Sequence, residues 1–201
     1  MQGRMECGPR ALGSRSILGD ARSREMQSVM NRKIKFRESF RPFAPVILAD
    51  HVHEYFEMEE GQISPYMLLV ADVQDGQRSE LSDQDRQQRG VDKLQVCRSK
   101  VPAITHVDNS ARVQTADPVH APELHRLLES FYQQTGCPLV VNTSFNIRGE
   151  PIVCTPEDAH RCFLATDMDV LVIEGFVLLK DEQPDAPRHE IDAYMNQFPL
   201  D

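Results

Sequence analysis

The side chains best suited to chemistry in this sequence are cations, and they fall in four short stretches. Gly8-Pro9-Arg10-Ala11-Leu12-Gly13-Ser14-Arg15-Ser16 sets two arginines on a backbone path stiffened by proline and opened by two glycines. Guanidinium forks match the paired oxygens of phosphate or carboxylate, so Arg10 and Arg15 are candidate anion ligands. Asn31 to Pro45 interleaves five basic groups with three aromatics and a single acid. Phe36, Phe40 and Phe43 can anchor that segment while Lys35, Arg37 and Arg41 converge on a polyanion. Ser110-Ala111-Arg112-Val113-Gln114-Thr115 reads as a strand whose alternation sets Ser110, Arg112 and Gln114 on one face. Asn142-Thr143-Ser144-Phe145-Asn146-Ile147-Arg148-Gly149-Glu150-Pro151 follows an apolar run. Its hydroxyls, amides and arginine suit phosphate oxygens or a small polar group at a strand end, where α/β sheets usually bind ligands.

Each stretch also has a plainer reading. The first is a surface turn with solvated arginines, and the second a basic helix end that complements a dipole. The third is the polar outer face of a hairpin, and the fourth a loop whose Asn and Ser fix turns. Aromatics among cations also suit stacked single-stranded nucleic acid. His51-x-His53 lacks a third metal ligand, and His106 reads as a core histidine in a strand. No Walker A loop, G-x-G-x-x-G or Ser-His-Asp signature is present.

The elements that must hold these residues follow from periodicity and turn chemistry. Asp20 to Ile34 predicts a helix capped by Asp20, with Met26, Val29, Met30 and Ile34 at helical spacing. Phe43 to Leu48 and Tyr66 to Val70 predict buried strands. Gln74 to Gln95 is polar and aperiodic, a loop or insertion. Val101 to Val107 and Ala111 to Ala116 predict a hairpin around Asp108-Asn109-Ser110. Pro122 to Gln134 predicts a helix stopped by Gly136, and Pro138 to Val141 a short buried strand. Thr155-Pro156-Glu157-Asp158 opens a helix running to about Ala165, with Asp167-Met168-Asp169 at its end. Val170 to Ile173 and Phe176 to Leu179 are two last strands, and 183–201 reads as a polar tail. Mixed strands and helices predict an α/β class with a twisted sheet of parallel and antiparallel pairs and flanking helices.

Composition bounds the rest. The chain has 201 residues with a net charge of −9, which argues against general nucleic-acid binding. Residues 1–41 carry ten of the 22 Lys/Arg but four of the 31 Asp/Glu. A basic segment in an acidic protein points to a local anion site. The five cysteines form no C-x-x-C, so buried free thiols are expected rather than a disulfide or zinc framework. No apolar run approaches the ~18 residues of a membrane span, and residues 1–20 hold no signal-peptide centre, so a cytoplasmic location is expected.

Taken together, G-R-M-E-x-G-P-R-A-L-G-x-R-S-I-L, N-x-x-I-K-x-R-E-x-F-R-P-F-A-P, D-x-S-A-R-V-Q, T-G-x-P-x-x-V-N-T-S-F-N-x-R-G-E-P-I-V and the T-P-x-D-A start resemble, in order, the C-terminal domain of NodU/TobZ-type O-carbamoyltransferases. The resemblance runs from Gly3 to about Lys180, and implies a YrdC-like domain over 1–182. It implies binding of ATP and carbamoyl phosphate to form carbamoyl adenylate. Transfer to a hydroxyl would fall to an N-terminal metal-binding domain absent here, with iron only in that domain and magnesium expected beside ATP. Carried over by position, the catalytic set is Lys35, Arg41 and Arg148. The nucleotide- and substrate-binding set is Arg10, Arg15, Arg37, Arg112, Asn142, Thr143, Ser144 and Asn146, with no metal ligand. A sequence that opens inside a motif also suggests that something belongs upstream. Three alternatives stay open: a noncatalytic RNA-binding YrdC-like module, a docking remnant of a larger protein, and self-association as a homodimer.

Overall fold

Short apolar runs bounded by Gly, Pro and Asn form the strands, and a computed structural model describes their arrangement for residues 1–184 and 187–198. The strands of the central sheet are β1 (Ser16–Gly19), β2 (Ala44–Leu48), β3 (Leu69–Asp72), β4 (Ser110–Ala116) and β5 (Leu139–Ser144). Their order is β1-β5-β2-β4-β3. β2 and β4 are parallel; β1 with β5, β2 with β5, and β3 with β4 are antiparallel. This is the mixed α/β sheet expected from the sequence. A separate hairpin joins β6 (Val170–Ile173) to β7 (Phe176–Leu179).

Alternation splits the sheet into two faces. Ile17, Ile47, Ala111, Val113, Leu139 and Val141 point into the larger core with Phe56 and Phe163. Val46, Leu48, Ala116 and Val140 point the other way, beneath Leu124 and Leu128 of α4 (Pro122–Thr135). Helix α4 starts on a proline and stops at Gly136, whose left-handed φ of 70° lets its N–H reach the Tyr132 carbonyl at 2.7 Å. Helix α5 (Pro156–Leu164) starts on a capping box, with the Thr155 hydroxyl accepting from the Asp158 amide.

Several expectations need correction. The Asp20–Ile34 helix is much shorter: α1 (Met26–Val29) runs directly into a π-helical turn, Met30–Ile34. Asp20 does not cap it, because its carboxylate accepts from the backbone and guanidinium of Arg22 in a tight turn. The strand expected at 66–70 lies at Leu69–Asp72 and is not buried, with Val70 63% exposed at the sheet edge. Residues 101–107 form no strand. Val101, Ala103 and Ile104 are buried in a turn, half-buried His106 lies in loop rather than strand, and the partners of β4 are β2 and β3. Residues 74–95 contain helix α3 (Asp83–Gln87) between two 3-10 turns. The expected tail carries helix α6 (Arg188–Met195), whose Tyr194 is only 4% exposed. Of the three aromatics read as anchors, Phe43 is buried and Phe36 packs partly against the core, but Phe40 is 53% exposed.

Strand polarity decides where the motif residues meet. Because β4 runs with β2 and β5 runs against it, the starts of β2 and β4 and the finish of β5 share one end of the sheet. On the α4 side, that end turns from apolar to polar at Asn142, Gln114 and Arg112. The 8–13 loop lies over it, with the Gln114 amide donating to the Leu12 carbonyl at 2.9 Å and the Asn142 amide to the Ala11 carbonyl at 3.2 Å. Gly13, at φ 133°, leaves the loop pressed on Leu124, which a Cβ would meet at 3.0 Å. Gly13→Ala is expected to cost ~1–3 kcal/mol through strain and contact. A thermal melt unchanged from the wild type would show that the loop does not need this conformation.

Candidate functional site

The 8–15 turn is assembled around a carboxylate. Glu6 Oε1 accepts from the amides of Leu12 at 2.8 Å and Ser14 at 2.7 Å. Arg15, 5% exposed, spends its guanidinium on the carbonyls of Gln2, Gly3, Ser14 and Cys154 at 3.0–3.2 Å. It therefore ties the opening segment to the chain before α5. Arg10, from the same turn, lies close enough to Arg112 to lower the pKa of that guanidinium, an effect second to burial. The Arg112 Nε is buried without a partner, as is the Asn142 Oδ1 on the same sheet face. Asn142 Nδ2 also donates to Gln114 Oε1 at 2.6 Å.

The second group forms where the π-helical turn meets β2. Asn31, fully buried, donates to the carbonyls of Ser39 at 3.2 Å and Arg41 at 2.9 Å, while its own Oδ1 accepts from Arg37 Nε at 2.6 Å. That one amide shapes the whole basic loop. Arg37 sits over the Phe43 ring at 5.0 Å, and its pKa is lowered by burial and by neighbouring Arg41. Glu38 bridges Arg41 at 2.9 Å and Arg148 at 3.7 Å. Two arginines, one from the loop before β2 and one from the loop after β5, thus share one carboxylate.

Lys35 links the two segments. At 3% exposure, its Nζ donates to the Ser144 carbonyl, to the Asn146 carbonyl at 2.9 Å and to Asn146 Oδ1 at 2.8 Å. Ser144 Oγ, 3.4 Å from the same nitrogen, donates to Asn146 Oδ1 at 2.8 Å. Among the described residues no carboxylate pairs with Lys35, and burial lowers its pKa from 10.5 to about 7. Its ammonium faces protein oxygens. Thr143 lies half-buried in β5 opposite Ile17.

The structure gathers Arg10, Arg112 and Asn142 in one group and Arg37, Arg41 and Arg148 in another, with Lys35, Ser144 and Asn146 tied together beside Arg37, all at the same end of the sheet. Arg15 stands apart as a backbone staple. Among the described residues, Arg10, Arg37 and Arg112 have no carboxylate within 4.0 Å, in a chain of net charge −9. Unpaired, partly buried guanidiniums favour an incoming anion. Two clefts of about 500 and 620 Å³ open instead beside β1 and the start of α4, and no arginine lines either. Asn31, Glu6 and Glu150 were not read as site residues, although all three stand inside the quoted motifs; Gln114, set on one face with Arg112, is spent on the Leu12 carbonyl and Asn142. Among the described residues, no group of three His, Cys, Asp or Glu side chains could hold a metal, His51 and His53 included, and no helix is long and apolar enough to cross a membrane.

Comparison with known proteins agrees on one family. The family described as Carbamoyltransferase C-terminus matches residues 1–180. An uncharacterized protein of Synechocystis sp. is 58% identical over 200 residues, 100% of this chain and 32% of that protein. Nodulation protein NolO of Bradyrhizobium diazoefficiens is 39% identical, covering 90% of this chain and 29% of its own length. Nodulation protein U of Sinorhizobium fredii is 40% identical, covering 81% and 25%. The chain spans about a third or less of these relatives.

The Lys35 environment predicts a pH-dependent stability. Between about pH 7 and 9 the unfolded chain keeps a proton that folded Lys35 releases, so stability rises with pH. Above pH 9 the buried Cys162 thiol, pushed up to about 12, opposes this, because the unfolded thiol ionises first. The Met1 amine, lowered from 8.0 chiefly by burial, acts in the same direction as Lys35 but is common to any variant. Urea titrations should show a rise from pH 7 to 9 that flattens in Lys35→Met. Equal slopes in the two proteins would overturn the assignment.

Proposed function

The chain belongs to the Carbamoyltransferase C-terminus family, and from that membership we propose that it binds ATP and carbamoyl phosphate at the cationic end of its sheet to form carbamoyl adenylate. The observation that carries this reading is the set of guanidiniums without carboxylate partners, Arg10, Arg37 and Arg112, beside the Asn142–Arg148 segment. Both ligands are polyanions, and the buried, unpartnered Arg112 Nε fits a phosphate oxygen. Arg10 and Arg112 would hold one phosphate group. Arg37, Arg41 and Arg148 would hold a second, with Glu38 bridging Arg41 and Arg148 until the anion displaces it. The unpaired Asn142 Oδ1 can accept from a carbamoyl amide or a ribose hydroxyl.

In this reading catalysis is positioning and charge neutralisation. Water would cleave carbamoyl phosphate to carbamate and inorganic phosphate, a carbamate oxygen would attack the α-phosphate of ATP as pyrophosphate leaves, and fixed guanidiniums would meet the charge that develops there. Lys35 contributes indirectly, by holding Ser144 and Asn146 in place. The described residues do not fit a metal cage, so magnesium would arrive on the nucleotide phosphates and iron would belong to another part of the whole protein. Transfer to a hydroxyl is likewise assigned to the remainder of the longer protein that the relatives represent. The location this reading implies is the cytoplasm.

Calorimetry with ATP and with carbamoyl phosphate tests the proposal. Arg112→Ala is expected to weaken ATP binding by ~2 kcal/mol, about 30-fold in Kd, while leaving the thermal melt close to that of the wild type. A folded wild-type protein that binds neither ligand, but binds RNA with steep salt dependence, would favour the RNA-binding module instead.

A further inference from the structure

Helix α6 lies outside residues 1–180, yet it reaches the candidate site through one side chain. Tyr194 is buried among the core residues, with its ring edge-on to Phe198 at 5.7 Å. Its hydroxyl donates to Glu150 Oε1 at 2.6 Å. The second carboxylate oxygen accepts from the Ile147 amide at 2.8 Å, and the Glu150 carbonyl accepts from Asn146 Nδ2 at 2.6 Å. Asn146 in turn gives its Oδ1 and carbonyl to Lys35. An unbroken run of hydrogen bonds therefore leads from α6 to the lysine beside Arg37. It passes through the loop that also carries Arg148.

We propose that Tyr194 is a positioning residue that fixes the 146–150 loop by holding the Glu150 carboxylate against the Ile147 amide. Between Phe145 and Val153 the chain has no strand or helix; Lys35 holds Asn146 and the Ile147 side chain is buried, while Glu150 closes the turn that carries Arg148. Glu150 spans it, so the carboxylate must be oriented from outside the loop, and the Tyr194 hydroxyl does this. Without the hydroxyl, Glu150 Oε1 loses its donor in a partly buried place, and the carboxylate can turn toward water. That turn would release Ile147, loosen Asn146 and let Arg148 leave the site. The link to ligand binding rests on the function proposed above; the hold on the loop does not.

The test uses the full chain with Tyr194→Phe, which keeps the ring and its packing and removes only the hydroxyl. Hydrogen exchange at the Ile147 amide should accelerate about tenfold, the scale of a hydrogen bond to a charged group, while Val141 in the neighbouring strand changes less than about twofold. Kd values for ATP and carbamoyl phosphate should rise together. Glu150→Gln keeps one acceptor, its Oε1, for the Ile147 amide, while its Nε2 can donate to the Tyr194 hydroxyl oxygen, and it is expected to protect Ile147 better than Tyr194→Phe does. It decides the matter by itself should the tyrosine variant not fold: Ile147 must then stay more protected than in Glu150→Ala. Unchanged Ile147 exchange in Tyr194→Phe, or equal loosening of Ile147 and Val141, overturns the proposal. Wild-type protein that binds no ligand would defeat the functional reading alone, because the exchange comparison needs none.

Discussion

A buried ammonium with no counter-ion among the described residues is the contact on which the arrangement of this molecule turns. Lys35 leaves the π-helical turn and ends among the oxygens of Ser144 and Asn146. Desolvating a cation is costly unless its donors are satisfied, and here three protein oxygens satisfy them. This costly contact fixes the spacing between two segments far apart in sequence, and both carry arginines. Remove the lysine and nothing comparable would register the basic loop before β2 against the loop after β5.

The guanidiniums around it divide by how they are satisfied. Arg15 gives both terminal nitrogens to backbone carbonyls and ties the opening turn to residue 154. Arg41 and Arg148 share a carboxylate, a partial compensation that an anion can displace. Arg10 and Arg112 repel one another with no acid between them. Glu38 is the one acid that pairs with these site arginines among the described residues, and Glu6 and Glu150 at the same end accept from backbone amides and Tyr194 instead. Such a distribution concentrates positive potential locally while the global field remains negative.

Much of this was legible in the residues, and the failures have physical causes. Helix α4 announced itself through Leu124, Leu127, Leu128 and Gly136, and α5 through the Thr155 capping box, because local chemistry decides both. Strand β1 went unseen, since Ser16–Gly19 has two apolar residues and gains its strand geometry from pairing with β5. Asp20 was misread because the same side chain can cap a helix or close a turn, and the nearby Arg22 selects the turn. The 101–104 segment looked like a strand because it is apolar, but a buried turn needs the same residues. The cations of the site were visible by type and spacing. Their division into staple, linker and free guanidinium was not, because it depends on which carbonyls lie within reach. Tyr194 carried no signal: an aromatic in a polar segment gives no hint that a carboxylate distant in sequence awaits it.

The π-helical turn at Met30–Ile34 has a consequence for how sequences of this shape can change. The Lys35 amide bonds to the Met30 carbonyl, five residues back, so this turn holds one residue more than an α-helix would. Deleting that residue would rotate everything downstream by roughly 100°, the arc one residue occupies on an α-helix. The ammonium would swing off its three oxygens and Asn31 off the loop it shapes. Insertions and deletions should therefore be excluded from this short stretch even where substitutions of exposed Arg32 or Lys33 cost little, the Lys33–Asp167 pair at 3.2 Å being an exposed one.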